Sequence, residues 1–399
     1  MFLLSCGEST KNANTSTPKK AWNSQHNPFI FDTKTLKQLK YTSLLSELPL
    51  QGKLDRRPWS CDYWPDMRGG ISYRWNGNTP DDESRFKYPI LNRMSLSRVD
   101  LRTLSPSEKF DIFTGHFDFP YTKKERVRTE IMKPGADIPS WTGLCDGWSA
   151  ASLFFEEPGP VTVKSRAGID VPFGSADVKA LLTYFLTEAS SDVYFLGVKC
   201  TVDLEDLEKR FKRKLISRHQ YLKSLEECSG VNAGAFHIVL ANQIGRMKEG
   251  FVIDRDPSIE VWNQPVYSYN SHVVSDKKGK SPDSAPGTVR EVEIKTVLTY
   301  ISETDPDWDK IQDPAEEVLD YHYRLEIDSM GRIVGGTWIS TMHPDFAWKQ
   351  DAPTFYDDFE SLKLIYEASV GKKVPEHRFS SDARPPRHHH RLVHFPNFF

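Results

Sequence analysis

The sequence has 399 residues, 52 of them Lys or Arg and 55 Asp or Glu, for a formal net charge of −3. It therefore lacks the positive excess that general binding to nucleic acid or acidic membranes requires. Apolar residues make up 38 % and aromatics 12 %, while 26 prolines and 23 glycines interrupt the chain often; this composition points to a loop-rich α+β protein with room for two or three domains, not to a helical bundle. No apolar run approaches the ~20 residues of a bilayer-spanning helix, and no GxGxxG fingerprint, P-loop, HExxH or EF-hand loop is present.

The chain opens on Met1-Phe2-Leu3-Leu4-Ser5-Cys6-Gly7, followed by a polar run. This start looks like the end of a bacterial lipoprotein signal, which would put a lipid anchor at Cys6 and the protein outside the cytoplasm, secreted, periplasmic or on the cell surface. It lacks a basic n-region, and its apolar stretch is shorter than the roughly 7 to 15 residues such signals carry. Residues 1–28 are expected to be a disordered tether. Leu36, Leu39, Leu44, Leu45 and Leu48 suggest a helical entry over 29–50, and the aromatics Trp59, Tyr63, Trp64, Tyr73 and Trp75 lie among turn formers as an extended segment. A short helix is expected over 104–115 behind a Ser105 or Ser107 cap. Residues 29–121 form an N-terminal region, 122–348 a main domain and 349–399 a C-terminal extension.

In the main domain the stretch WTGLCDGWSAASLFFEE, Trp141 to Glu157, passes from a turn into a small, apolar helix ended by Pro158 and Gly159. Cys145 falls at the first turn, where free N–H groups and the helix dipole favour a thiolate, as a nucleophile requires. A buried structural cysteine is the ordinary alternative. A hairpin turning at Gly168 is expected over 161–173, a helix over 176–189, a strand over 193–200 and a long surface helix over 204–227. Its KRFKRK segment reads as a solvated face. AFHIVLA, Ala235 to Ala241, and GFVIDRD, Gly250 to Asp256, read as an antiparallel strand pair, and further strands are expected over 291–301, 321–327 and 332–340 around a polar loop at 275–288. From Lys349 the pattern fades; His388, His389, His390 and His394 form a basic tail without fixed metal geometry.

On that strand pairing, His237 would have Asp254 or Asp256 beside it across the pair, so that a carboxylate fixes the tautomer of a general base. Asp254 is the choice and Asp256 the rival. Cysteine on a helix with histidine and aspartate on a sheet is the arrangement of papain-like and transglutaminase-like enzymes, and it implies an α+β core with the cysteine helix packed on a mostly antiparallel sheet.

VWNQPV, Val261 to Val266, resembles the core of the peptide by which plants recognise the secreted transglutaminase of oomycete pathogens. SCDYWPDMRGGISYRW (60–75), LSPSEKFDIFTG (104–115), WTGLCDGWSAAS (141–152), NAGAFHIVLANQIG (232–245) and GRIVGGTWISTMHPDFAW (331–348) are similar to further stations of the transglutaminase elicitor family. Ala233 stands where that family is expected to carry proline, and from Tyr267 onward the sequence departs from the elicitor peptide.

The resemblance implies a protein-glutamine γ-glutamyltransferase. Cys145 would attack a glutamine side chain, ammonia would leave, and a lysine amine would resolve the thioester, with His237 moving the protons. The Cys145 backbone N–H and Trp141 are candidate oxyanion donors, and Trp141 and Trp262 would line a dry amine channel. Trp148 reads as core. The family also implies that the N-terminal region covers the site as a pro-segment. Partners would be proteins bearing Gln and Lys. No cofactor is expected; calcium has no motif to support it, since Glu303 to Asp309 lacks ligand spacing. Cys200 and Cys228 flank the long helix as a disulfide candidate suited to an exported protein, and Cys61 is left over. A cysteine protease or amidase shares the triad, and an inactive surface binding protein of the same fold is the reading from another class.

Overall fold

The computed structural model describes residues 22–33, 40–309, 311, 313–356, 358–373 and 380–381. The Cys6 anchor candidate, Leu36, Leu39 and the tail histidines lie outside them. In chain order the main elements are β1 (Gln51–Lys53), α1 (Pro106–Thr114), α2 (Pro120–Arg128), α3 (Cys145–Phe154), the hairpin β2 (Val161–Lys164) and β3 (Asp170–Phe173), then α4 (Ser175–Glu188) and β4 (Val193–Gly197). After them come α5 (Leu204–Lys212), α6 (Arg218–Glu227), α7 (Ala233–Leu240), β5 (Val252–Asp254), β6 (Asn263–Lys278), β7 (Thr288–Ile301), β8 (Glu316–Asp328), β9 (Ile333–Trp338), β10 (Phe346–Gln350), β11 (Thr354–Phe355) and α8 (Phe359–Val370).

Long alternating runs between 263 and 338 make the sheet. Its order is β4-β10-β5-β6-β7-β8-β9, with β1 added to β6, and every pairing is antiparallel. The hairpin at Gly168 is present: Val161 pairs with Phe173, and Gly168 adopts φ 79°, where glycine carries no side-chain penalty. α1 starts as the sequence signals, with Ser105 and Glu108 closing a reciprocal capping box.

Five expectations need correction. AFHIVLA is not a strand but α7. The Asn232 side chain accepts from the backbone N–H groups of Gly234 and Ala235 and so starts a helix, whose every residue is buried; a helix apolar on all sides has no stripe from which to read its period. Gly234 lets this helix touch β9, since a Cβ there would lie 2.2 Å from the Gly335 carbonyl oxygen. β5 consequently pairs with β6 and β10 instead. The long helix over 204–227 breaks after Lys212: Lys214 takes a left-handed φ of 60° and Ser217 caps α6 with its own capping box. The described part of 29–50 holds 3-10 turns at Pro28–Phe31 and Leu45–Glu47, with no α-helix. The polar loop is narrower than expected, because β6 runs to Lys278 and β7 begins at Thr288. Regular structure also continues past Lys349, through β10 and α8.

One hydrophobic core runs through the expected regions. Phe31, Trp59, Trp64 and Phe110 from the N-terminal part pack in the same cluster as Trp148, Ile253, Leu298 and, from α8, Ile365. Cys200 and Cys228 form the disulfide that ties the α5–α6 excursion at its base.

Candidate active site

The cysteine helix is held at both ends by residues 56–64. At its start, the Leu144 N–H donates to the Tyr63 carbonyl at 2.7 Å, which leaves Cys145 as the first helical residue. At its end, the Arg56 guanidinium donates to the carbonyls of Ser152 (3.0 Å), Phe155 (2.5 Å) and Leu153, and the Trp59 indole N–H donates to Phe155 (3.1 Å). These are the carbonyls that a helix terminus cannot satisfy itself, and a cation there also complements the dipole. Gly147 lets α3 lie against α4: a Cβ would fall 2.4 Å from the Thr183 carbonyl oxygen.

Cys145 is 7 % exposed, and its sulfur faces the start of β6. It accepts a hydrogen bond from the Asn263 side-chain amide at 3.2 Å and directs its own proton toward the Val261 carbonyl at 3.8 Å. The Trp348 indole N–H donates to the other end of the same amide, Asn263 Oδ1, at 2.7 Å. Burial, with the Asp146 charge adding to it, pushes the thiol up to about 12, against the opposing pull of the Asn263 donors. The resting group is therefore a thiol. Tyr63, whose carbonyl holds the start of the cysteine helix, meets Trp262, the residue before Asn263, edge to face, 5.4 Å between ring centroids.

The expected base and acid are placed elsewhere. His237 sits on α7, fully buried, with Nδ1 sharing a 2.8 Å hydrogen bond with the Tyr323 hydroxyl, which continues to Thr296 and Ser271 across three strands. Among the described residues its Nε2 has no hydrogen-bond partner, and burial alone lowers its pKa to about 4. Asp254 makes no hydrogen bond to the imidazole among the described residues; its Oδ1 accepts at 3.1 Å from the backbone N–H of Trp262, the residue between Val261 and Asn263, and burial raises its pKa. Asp256 pairs with Arg255 at 3.2 Å. Trp141 is half-buried, with the Lys199 ammonium 5.5 Å above its ring and no bond to the sulfur, whereas Trp262 does reach the site. The structure thus brings Cys145 together with the Asp254–Trp262 segment, and among the described residues no hydrogen bond joins His237 to Cys145 or Asp254.

Sequence reasoning missed Asn263 and Trp348. Asn263 lies inside VWNQPV, and a polar residue starting a strand that enters a core was the available signal. Nothing local marked Trp348. Glu303, from the acidic stretch considered for calcium, is taken by Gln264, whose Nε2 donates to both carboxylate oxygens at 2.9 Å. Among the described residues no group of three or more His, Cys, Asp or Glu is arranged to hold a metal ion.

The crystal structure of the GP42 transglutaminase from Phytophthora sojae matches with a TM-score of 0.55 at 22 % identity, over 84 % of this chain and 95 % of that one. That likeness establishes a shared fold. No curated protein matches the chain. A family model, described as transglutaminase elicitor, matches residues 32–368, which takes in α3, the VWNQPV strand and Trp348 alike, and the chain belongs to the transglutaminase elicitor family.

Proposed function

We propose that this chain is a protein-glutamine γ-glutamyltransferase that carries its acyl group on Cys145. The observation that supports this most is the sulfur itself, at the first residue of a buried helix with the Asn263 amide donating to it at 3.2 Å, in a chain of this family. In the reaction the sulfur bonds to the side-chain carbonyl carbon of a glutamine, the C–N bond breaks, and ammonia leaves with the thiol proton. A primary amine then attacks the thioester, loses a proton and frees the thiol. Trp262 and Tyr63 shield that thioester from water, favouring a dilute amine over hydrolysis.

The conformation described here is a resting one. The thiol is protonated and covered, and the His237 imidazole is bonded to Tyr323 and not to the sulfur. Removing the whole N-terminal region would not simply uncover the site, because Arg56, Trp59 and Tyr63 hold the cysteine helix. The Cys200–Cys228 disulfide supports assembly in an oxidising compartment and so export of the protein, with Cys6 as the proposed anchor.

One observation favours a different reading, a transglutaminase fold retained for binding: among the described residues no imidazole is bonded to the sulfur. Covalent incorporation of a fluorescent primary amine into a glutamine-bearing protein separates the readings. Labelling by the intact chain and none by Cys145→Ala supports the transferase; deamidation or cleavage without amine incorporation would make it a hydrolase; no thiol-dependent reaction at all would favour the binding protein.

A further inference from the structure

The amide of Asn263 has a fixed orientation. The Trp348 indole nitrogen can only donate, so the atom 2.7 Å from it is the amide oxygen, and the atom 3.2 Å from the sulfur is the NH2 group. The side chain is 2 % exposed and stands on the first residue of β6, directly across from Asp254 of β5, while Trp348 of β10 is paired to Val252 of that same strand. Three strands thus lock the amide against the cysteine helix. One N–H of the group is directed at the sulfur; the other has no acceptor among the described residues. The backbone N–H of Cys145, first in its helix, likewise has no intrahelical acceptor.

We infer that Asn263 is a catalytic residue whose side-chain amide, together with the Cys145 backbone N–H, forms the oxyanion hole of the acyl-transfer reaction. The inference rests on the reading of Cys145 as the acyl carrier and assigns to Asn263 the part that the sequence had suggested for Trp141. When the sulfur bonds to a carbonyl carbon, the carbonyl π pair moves onto an oxygen that is two bonds from the sulfur. A donor already within hydrogen-bond reach of the sulfur can then meet that oxygen without moving the backbone. Against the neutral thiol the N–H makes a weak contact; against the oxyanion it makes a charge-assisted bond, so it stabilises the transition state more than the ground state. The oxyanion then collapses, the π bond re-forms, and the leaving group departs with the C–N or C–O bond pair. Trp348 is a positioning residue: it keeps the oxygen of the amide turned away from the developing charge.

Two reactions of the same sulfur test this in the full chain at alkaline pH. Alkylation by iodoacetamide displaces iodide and forms no oxyanion; acylation by p-nitrophenyl acetate passes through one and releases p-nitrophenolate. Loss of the Asn263 donor lowers the thiolate fraction for both reactions alike, so Asn263→Ala should acylate about 10²- to 10³-fold more slowly relative to its own alkylation rate than wild type does. Trp348→Phe should show the same split at about tenfold, because the amide is then free to turn; it also serves where Asn263→Ala does not fold. Acylation at the wild-type rate in Asn263→Ala, or alkylation and acylation falling together in both variants, overturns the inference while leaving Cys145 as the acyl carrier. Wild type and Cys145→Ala releasing p-nitrophenolate equally, with no thioester found at Cys145, overturns the functional reading and this inference with it.

Discussion

His237 and Tyr323 share a 2.8 Å hydrogen bond inside the core, and the burial that goes with it gives the imidazole a pH-dependent part in stability. Its folded pKa of about 4 lies below the ordinary 6.5. Between those values the unfolded chain binds the proton and the folded chain does not. The stabilisation is therefore complete above pH 6.5 and is lost as pH falls toward 4, by on the order of 3 kcal/mol. His237→Gln, which keeps a polar partner for Tyr323, should be less stable than wild type near neutrality and should lack this part of the slope. Urea midpoints of the two proteins at about pH 7.5 and about pH 4.5 measure it; parallel losses in both would show that His237 is already charged in the folded state.

Arg56 concentrates three helix-end carbonyls on one guanidinium. Arg56→Ala leaves them to find water in a half-buried site and should cost about 2 kcal/mol. Arg56→Lys should recover less than half of that, since a single ammonium lacks the planar fork that reaches separate acceptors. Thermal melting of the two variants checks the order. If Arg56→Ala melts with wild type, the grip on the cysteine helix is not energetic.

What the sequence revealed divides along physical lines. The cysteine helix was legible because turn formers precede Cys145 and Pro158 follows it, and the long strands β7 and β8 because apolar and polar residues alternate between 288 and 328. The Cys200–Cys228 pairing followed from two cysteines flanking one excursion. Ala235 to Ala241 was misread because a helix buried on all sides shows the same unbroken apolar run as a central strand. That reading placed His237 on a strand beside Asp254, whereas it stands on α7 and bonds to Tyr323. Asn263 was hidden for a different reason: its role depends on Trp348, far along the chain, and no local pattern records which way an amide will face.

The thiol pKa has a kinetic signature. With Cys145 pushed up to about 12 by burial and the Asp146 charge, the resting chain holds only a small thiolate fraction at neutral pH. Iodoacetamide alkylation of Cys145 should rise with pH throughout the neutral and mildly alkaline range with no plateau. Asp146→Asn should shift the whole profile toward lower pH, since it removes the nearest like charge while leaving the helix start in place. A plateau reached near neutrality in the wild-type chain would mean that an ion pair absent from the resting site already holds the thiolate.

The account turns on whether Cys145 transfers acyl groups to amines. The direct measurement is mass spectrometry of a glutamine-bearing acceptor protein after incubation with the chain and a fluorescent primary amine. Wild type, Cys145→Ala and Asn263→Ala would be run side by side. The account predicts amine-modified glutamines with wild type, none with Cys145→Ala, and about a hundredfold fewer with Asn263→Ala. Modification that persists in Cys145→Ala, or a wild-type chain that forms no thioester and modifies no glutamine, would contradict it.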